Sequence, residues 1–165
     1  EAEYLKRVEY KTAGLIAAAG RMGAILADAP ESQQDALFRF GRHLGIAFQV
    51  ADDTLDYTAN GERLGKTLGQ DLRQGKATLP MLYLLHHCSE QDRQIIVDRM
   101  ETKTLSEEDL GRFIHLMEEL GSITYAMDCA RSYVAAAQRD LDQFEDSTAK
   151  RALSVAADYM VTRDR

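Results

Sequence analysis

Apolar residues recur at three- and four-residue steps along most of the chain. From Leu5 onward the first apolar stripe comprises Val8, Leu15, Ile16, Ala19, Met22 and Leu26. This spacing predicts one continuous amphipathic helix whose stripe faces a core. No run alternates apolar and polar residues as a strand does. The pattern therefore predicts an all-α protein, organised as one helical domain over residues 1–165.

Further helices follow after the break at Asp28–Pro30. The second is predicted to run to about Tyr57, with a core stripe at Leu37, Phe40, Leu44, Phe48, Ala51 and Leu55. Later helices are predicted over 79–87, from a cap at Ser89, over 106–120 behind a capping box, over 123–144, and from a cap at Ser147 to about 161.

The stretch from Thr58 to Gln74 is the only long one without helical periodicity. It contains Asn60-Gly61, Gly65-Lys66 and Gly69-Gln70-Asp71, and these glycines argue against a helix. A structureless loop of this length inside a compact domain is more often functional than idle.

Composition narrows the classes of partner. The chain of 165 residues carries 20 Lys and Arg against 27 Asp and Glu, a net charge of −7. Nucleic acids and anionic membranes bind basic surfaces, so neither is expected as the main partner.

The two cysteines have no CxxC spacing, so neither a disulfide scaffold nor a thiolate zinc site is indicated. No apolar run is long enough for an integral membrane segment. We expect a cytoplasmic protein, and because Glu1 already lies within helical periodicity, we expect the chain to be part of a longer one.

Two polar residues interrupt the first apolar stripe. On a wheel of 100° per residue, Lys11 and Thr12 fall between Val8 and Leu15. A lysine that faces an interior needs an anion, since an unpaired buried charge is costly. The alternative is that Lys11 buries its stem at the edge of the stripe and keeps its ammonium group in water.

The second helix carries a further stripe beside its apolar one. Its members are Gly41, Gly45, Gln49, Asp52 and Asp56, and Asp53 adds a third carboxylate. Asp52 and Asp56 are i,i+4 neighbours near a helix C-terminus, so they repel each other and oppose the helix dipole. A divalent cation would reverse these unfavourable interactions. With no His or Cys beside them, the ligands favour Mg²⁺, Mn²⁺ or Ca²⁺.

Other metal sites fit poorly. An EF-hand loop that begins at Asp56 would place Thr67 where a bidentate Glu is required. No histidine has a Glu three residues before it, so a di-iron carboxylate bundle is excluded. Mg²⁺ commonly joins one or two carboxylates to phosphate oxygens, and Lys66 and Lys76 follow the acidic helix. We therefore favour a site for a metal and a diphosphate. Without the acidic residues beside them, Lys66 and Lys76 would be interpreted as solvated charges of a loop.

These residues also form a recognisable set. FQVADDTLDY at 48–57, followed by GKT at 65–67 and GKATLP at 75–80, resembles the second aspartate-rich region of trans-isoprenyl diphosphate synthases. Lys11-Thr12-Ala13 is similar to the KTA element of that family. The likeness is greatest to the bacterial octaprenyl diphosphate synthase branch, whose end resembles VTRDR at 161–165. The family's first aspartate-rich motif has no counterpart here, so the resemblance identifies the C-terminal half of such an enzyme.

The resemblance implies an all-helical isoprenoid-synthase fold and a prenyltransferase activity. Such enzymes ionise an allylic diphosphate with Mg²⁺, condense it with isopentenyl diphosphate and lose a proton, making here a long all-trans chain for a quinone. The implied metal ligands are Asp52, Asp53 and Asp56. Lys11, Lys66 and Lys76 are implied to contact diphosphate, and Thr12 and Gln49 to lie beside the nascent cation. Apolar residues of the same helices would wall the product pocket, and the full-length enzyme would be a homodimer.

Three other readings stay open. A terpene cyclase-like domain is less compatible with Lys66 and the KTA element. A non-catalytic helical partner subunit of a heteromeric prenyl synthase would not need the acidic triplet and the lysines together. A plain helical scaffold would not respond to Mg²⁺. Because only the second motif is present, the chain is expected to be inactive alone.

Overall fold

The computed structural model describes residues 1–58 and 68–162. Within those ranges every regular element is helical and no strand occurs, which confirms the all-α prediction. The elements are α1 (Ala2–Val8), a π-turn (Glu9–Ala13), α2 (Gly14–Leu26), α3 (Glu31–Thr58), α4 (Gln70–Arg73), α5 (Leu79–His87), α6 (Glu90–Thr102), α7 (Glu107–Glu119), α8 (Ser122–Asp140) and α9 (Thr148–Thr162).

The helices are grouped into two compact units, each with its own core. The first holds Glu1 and Asp52–Met127. Its core comprises Tyr57, Leu72, Met81, Leu84, Cys88, Ile96, Leu110, Phe113 and Met117. The second holds Ala2–Ala51 and the described residues from Asp128 onward. Its core comprises Phe40, Ala47, Val134, Ala137, Leu141 and Ala157.

Helix ends lie close to where the sequence predicted them. The Ser89 hydroxyl accepts from the Asp92 amide at 3.1 Å, and Ser106 and Asp109 form the predicted capping box. Ser147 accepts from the Lys150 amide at 3.1 Å at the start of α9. These side chains satisfy amides that have no partner within the helix. Two boundaries differ: α8 ends at Asp140, before Phe144, and the predicted loop contains the short helix α4.

Glycines bring α2 and α3 into close contact. A Cβ added at Gly20 would lie 2.5 Å from the Leu37 carbonyl oxygen, and one at Gly41 would lie 2.6 Å from that of Ile16. At Gly45 it would lie 2.5 Å from the Ala13 Cα. Real Cβ atoms do not approach backbone so closely, so Gly20 together with Gly41 and Gly45 of the predicted polar stripe sets the distance between these segments.

The first helical segment is not continuous, because a π-turn separates α1 from α2. The Gly14 amide donates to the Glu9 carbonyl, a bond that spans five residues instead of the four of an α-helix. The turn thus contains one residue more than an α-helical turn. This extra residue rotates α2 relative to the face that α1 buries.

The consequence overturns the predicted stripe of α2. The buried positions after Val8 are Ala13, Ala17 and Ala24, each one or two positions beyond those expected from α-helical spacing. Leu15 and Leu26 are instead 78% and 83% exposed, and Ala19 and Met22 are exposed as well. Lys11 falls on the stripe predicted by the same wheel, but its side chain is exposed, which agrees with the alternative in which its ammonium group stays in water. A wheel of 100° per residue fails across a π-turn.

Two further observations concern the exposure of the histidines and the character of the helices. His86, His87 and His115 are exposed and His43 is partly buried. Over residues 1–58 and 68–162, no helix combines the length and apolar character needed to span a bilayer.

Candidate functional site

The acidic residues predicted to bind metal lie on the last two turns of α3. Asp52, Asp53 and Asp56 are all half-buried, and α3 ends at Thr58. The helix C-terminus carries a partial negative charge that adds to theirs. The chemistry of the donors is therefore that of a site for a hard cation: carboxylate oxygens in a negative potential.

Asp56 also connects α3 to α4. Its carboxylate Oδ2 accepts from the Asp71 amide at 2.8 Å, and its backbone carbonyl accepts from the Gly69 amide at 2.9 Å. Gly69 has φ of 68°, a left-handed conformation that glycine adopts without strain. This carboxylate thus satisfies a free amide in the first turn of α4 and fixes where the chain returns to the acidic helix.

Lys76 lies beside this connection. Its Nζ donates to Asp71 Oδ1 at 2.8 Å, and its amide donates to the Asp71 carbonyl at 2.9 Å. The hydrogen bond from Asp71 raises the pKa of Lys76, and the charges of Asp53 and Asp56 add to the effect. The predicted diphosphate-binding lysine is therefore within the electrostatic range of the predicted metal ligands.

Asp71 was not among the site residues predicted from the sequence. It contacts Lys76 through its side chain and Asp56 through its backbone. The signal available in the sequence was a lone acid between the two glycine–lysine pairs, at Gly69-Gln70-Asp71. That signal is weak, because a single loop carboxylate is usually solvated.

A buried pair of hydroxyls closes the same region. The Tyr57 and Thr78 hydroxyls lie 2.6 Å apart, and both side chains are buried. Burial raises the pKa of Tyr57 well above its ordinary value, and the charges of Asp56, Asp71 and Asp53 act in the same direction. Both residues belong to the quoted motifs, but nothing in either motif predicts that they pair.

The site residues of the second unit lie on the π-turn and α3. The Thr12 hydroxyl donates to Gln49 Oε1 at 2.8 Å, and Gln49 is 9% exposed. The structure thus joins the two residues that the resemblance assigns to the nascent cation. Lys11, their neighbour on the π-turn, is exposed to solvent. Lys66, the remaining predicted site residue, lies outside the described residues.

The donor set fits a divalent cation that is shared with a ligand. Across residues 1–58 and 68–162, no three His, Cys, Asp or Glu side chains are grouped so as to hold a metal by themselves. Mg²⁺ usually takes one or two carboxylates and completes its shell with phosphate oxygens and water. The carboxylates of α3 suit that mode of binding and do not suit a metal site built from protein ligands alone.

A cavity of about 490 Å³ lies elsewhere in the first unit. It is lined by Glu1, Leu79, Leu82, Tyr83, His86, His87 and Tyr125. None of the described site residues is among them, so this cavity does not mark the predicted site.

Comparison with known proteins places the chain in a family. The sequence model described as Polyprenyl synthetase matches residues 1–117. An octaprenyl diphosphate synthase from Haemophilus influenzae is 38% identical over 164 residues, which are 99% of this chain and 50% of that protein. A short chain isoprenyl diphosphate synthase from Methanothermobacter thermautotrophicus is 36% identical, again over 99% of this chain and 50% of that protein.

A solved structure agrees with both relatives. The polyprenyl synthase of Caulobacter crescentus, complexed with calcium and isoprenyl diphosphate, matches with a TM-score of 0.93 and 35% identity. The match covers 100% of this chain and 50% of that one, so the chain spans about half the length of the proteins it resembles. Family match, sequence identity and fold agree, and the chain belongs to the polyprenyl synthetase family.

Proposed function

We propose that this chain supplies the second aspartate-rich half of a trans-polyprenyl diphosphate synthase. The observation that carries the proposal is the oxygen-only carboxylate set at the end of α3, in a chain that belongs to this family. The reaction proposed is the condensation of isopentenyl diphosphate with an allylic diphosphate. The calcium and isoprenyl diphosphate named for the Caulobacter crescentus structure support a divalent metal and a diphosphate ligand.

Each proposed role follows from the chemistry of the residue. Asp52 holds Mg²⁺ directly, and Asp53 and Asp56 support it directly or through water. Bound Mg²⁺ neutralises the charge that develops on a departing diphosphate. Lys11, Lys66 and Lys76 contact diphosphate oxygens. An ammonium group has three donors, so the bond from Lys76 to Asp71 leaves it able to donate to a phosphate as well.

Thr12 and Gln49 act beside the allylic cation. Their oxygen atoms carry partial negative charge, and a fixed dipole that faces developing positive charge stabilises it without reorganisation. The Thr12–Gln49 hydrogen bond supports this role because it restrains both side chains before any substrate is present.

The length of the product is part of the proposal. We assign a long polyprenyl chain because the sequence resembles the bacterial octaprenyl branch; identities of 38% and 36% to a long-chain and a short-chain enzyme do not separate them. Because the first aspartate-rich motif is missing from these residues, we propose that the chain binds a metal diphosphate but does not complete the condensation alone. We propose a homodimer for the full-length enzyme.

Calorimetry with Mg²⁺ and inorganic pyrophosphate tests the proposal on the full chain. Binding is expected only when both are present, and Asp52→Ala is expected to weaken it more than about tenfold. Asp98→Asn is the matched control, since within residues 1–58 and 68–162 the Asp98 carboxylate forms an ion pair only with its neighbour Arg99. If Asp52→Ala binds Mg²⁺ and pyrophosphate as tightly as the unaltered chain does, the proposal is wrong.

A second candidate function is that of a non-catalytic helical partner subunit. The exposed apolar face of α2, formed by Leu15, Met22 and Leu26, favours it. The occupant would be a helical polypeptide equivalent to the half of the family fold that this chain does not span.

Sedimentation with that half of the Caulobacter crescentus enzyme tests this second function. Serine at the three positions should abolish the complex, and serine at Val155 and Tyr159, which are also exposed, should not. A complex without any pyrophosphate binding would favour this second function.

A further inference from the structure

The π-turn is held against α3 at three successive points. Arg42 forms a bidentate ion pair with Glu9, with its Nε 2.6 Å from Oε1 and its Nη2 2.9 Å from Oε2. Gly45 accommodates the backbone of Ala13. Gln49 accepts from Thr12. On α3 these positions are three and four residues apart, so they form one face of the helix.

Glu9 is the residue on which the π geometry depends. Its carbonyl accepts the five-residue bond from the Gly14 amide that defines the turn. Its carboxylate accepts both hydrogen bonds from Arg42. The ion pair therefore restrains Glu9, the first residue of the turn, from another helix. The last two residues of the turn, Thr12 and Ala13, contact Gln49 and Gly45.

Such an external restraint matters because a π-turn is intrinsically unfavourable. It occurs rarely, usually as a single turn inside an α-helix and often at a functional site. The sequence of this turn, Glu-Tyr-Lys-Thr-Ala, contains no glycine or proline that would disrupt an α-helix. Local propensity thus favours regular α-helix, and contacts with α3 must favour the π form.

We infer that Arg42 is a positioning residue: through Glu9 it holds the π-turn in the register at which Thr12 reaches Gln49. This inference rests on the proposed function for its catalytic meaning, since Thr12 and Gln49 are the residues assigned to the allylic cation. The structural part does not depend on that assignment. Neither Glu9 nor Arg42 belongs to the quoted family motifs.

The pair is suited to this role by its geometry. A guanidinium group that contacts both carboxylate oxygens fixes direction as well as distance, which an ammonium group does not. The hydrogen bond from Arg42 lowers the pKa of Glu9, so the pair favours the charged form of the carboxylate. Both side chains are a little over a third exposed, at 39% and 38%, so the expected contribution of the pair to global stability is small.

Nuclear magnetic resonance of the full chain with Arg42→Ala tests the inference. Two local signals are read: the exchange rate of the Gly14 amide, which reports the π bond, and the Cδ shift of Gln49, which reports the bond from Thr12. Exchange at Gly14 is expected to rise roughly fivefold, and the Gln49 signal is expected to move toward that of a Thr12→Val variant. A role in global stability alone would lower the unfolding temperature and raise exchange at protected amides throughout the chain, whereas the changes expected here are confined to Gly14 and Gln49.

Three further variants make the result decisive. Arg39→Ala is the matched control, because Arg39 lies on α3 and pairs with Asp140 at 3.0 Å. Arg42→Lys keeps the positive charge but loses the two-donor geometry of the guanidinium group. Its Gly14 and Gln49 signals should therefore lie between those of Arg42→Ala and those of the unaltered chain. The exchange of both charges, Glu9→Arg with Arg42→Glu, should restore them and covers the case in which Arg42→Ala fails to fold.

The outcomes separate the two claims. Unchanged Gly14 and Gln49 signals in Arg42→Ala, or the same change in Arg39→Ala, would overturn the inference. Absence of Mg²⁺-dependent pyrophosphate binding by the unaltered chain would overturn the proposed function and leave the positioning of Thr12 by Arg42 in place.

Discussion

Thr12 and Gln49 are 37 residues apart in the chain and are joined by a hydrogen bond of 2.8 Å between their side chains. The hydroxyl of Thr12 reaches Gln49 because the π-turn delays the start of α2 by one residue and because Gly45 lets Ala13 approach α3. The bond is partly buried, so its loss would leave polar groups without compensation. This contact therefore depends on the backbone irregularity that contains Thr12 and on a glycine that takes no part in the bond.

The close approach at Gly45 predicts a large effect of a single methyl group. Gly45→Ala should lower the free energy of unfolding by about 1–3 kcal/mol, because the added Cβ meets backbone that cannot move aside. Urea denaturation measures it. Gly23→Ala is the matched control: nothing lies within 4 Å of its Cβ, and alanine should stabilise α2 by up to about 1 kcal/mol. Equal effects of the two changes would contradict the packing described.

The extra residue in the π-turn predicts that one deletion is tolerated and another is not. Deleting Tyr10, which is 80% exposed, should convert the turn to α-helix and keep Ala17 and Ala24 buried. Deleting Ala18 should rotate the rest of α2 by about 100° and remove Ala24 from its buried position.

Thermal unfolding compares the two deletions. The Ala18 deletion should be less stable than the Tyr10 deletion by roughly 1–3 kcal/mol, the usual cost of misfitted packing. Loss of cooperative unfolding in the Tyr10 deletion alone would show that the turn is not a simple insertion.

The Glu9–Arg42 pair predicts a pH dependence in the acid range. The pKa of Glu9 is lowered from its ordinary 4.5, chiefly by the hydrogen bond from Arg42. A lowered pKa in the folded state means that the stabilisation is present above pH 4.5 and is lost as the pH falls through the folded value. The difference in stability between the unaltered chain and Arg42→Ala, at most about 1 kcal/mol, should therefore vanish in acid. Titration of the Glu9 Cδ resonance measures the pKa, which should rise in Arg42→Ala and stay low in Arg39→Ala.

Tyr57 predicts a loss of stability in alkali. Burial raises the pKa of its hydroxyl above the ordinary 10.0, so its contribution is fully present below pH 10 and is lost as the pH rises toward the folded value. Unfolding followed by circular dichroism at increasing pH measures this loss. Tyr57→Phe should remove this loss of stability in alkali, although it also removes the hydrogen bond with Thr78. Tyr159→Phe, a change at an exposed position, should leave the loss of stability in alkali as it is in the unaltered chain. Identical alkaline profiles of the two variants would contradict the prediction.

Much of the fold was predictable because its signals are local. The helices with Ser caps, the start of α5 at Leu79 and the end of α3 near Tyr57 follow from residues within one turn of each boundary. The acidic face of α3 was equally accessible, since carboxylates four residues apart share a face in any α-helix. The family also followed from the sequence, through several short motifs between Lys11 and the end of the chain.

The residues that the prediction misplaced are those whose position depends on distant contacts. Leu15 and Met22 are apolar and spaced like core residues, yet both are exposed. Asp71 became part of the site only because Asp56 binds its amide and Lys76 binds its carboxylate. Tyr57 and Thr78 are separated by 21 residues, and their pairing has no signature in either motif.

The sequence by itself determined that the chain is helical, where most helices end and which face of α3 is acidic, because each of these depends on residues within one or two turns. It also indicated the family, through several short motifs spread along the chain. Only the tertiary structure decided which face of α2 is buried and that Thr12 meets Gln49. Both depend on a π-turn that its own residues do not favour. Its register depends on the contacts that Arg42, Gly45 and Gln49 make from another helix.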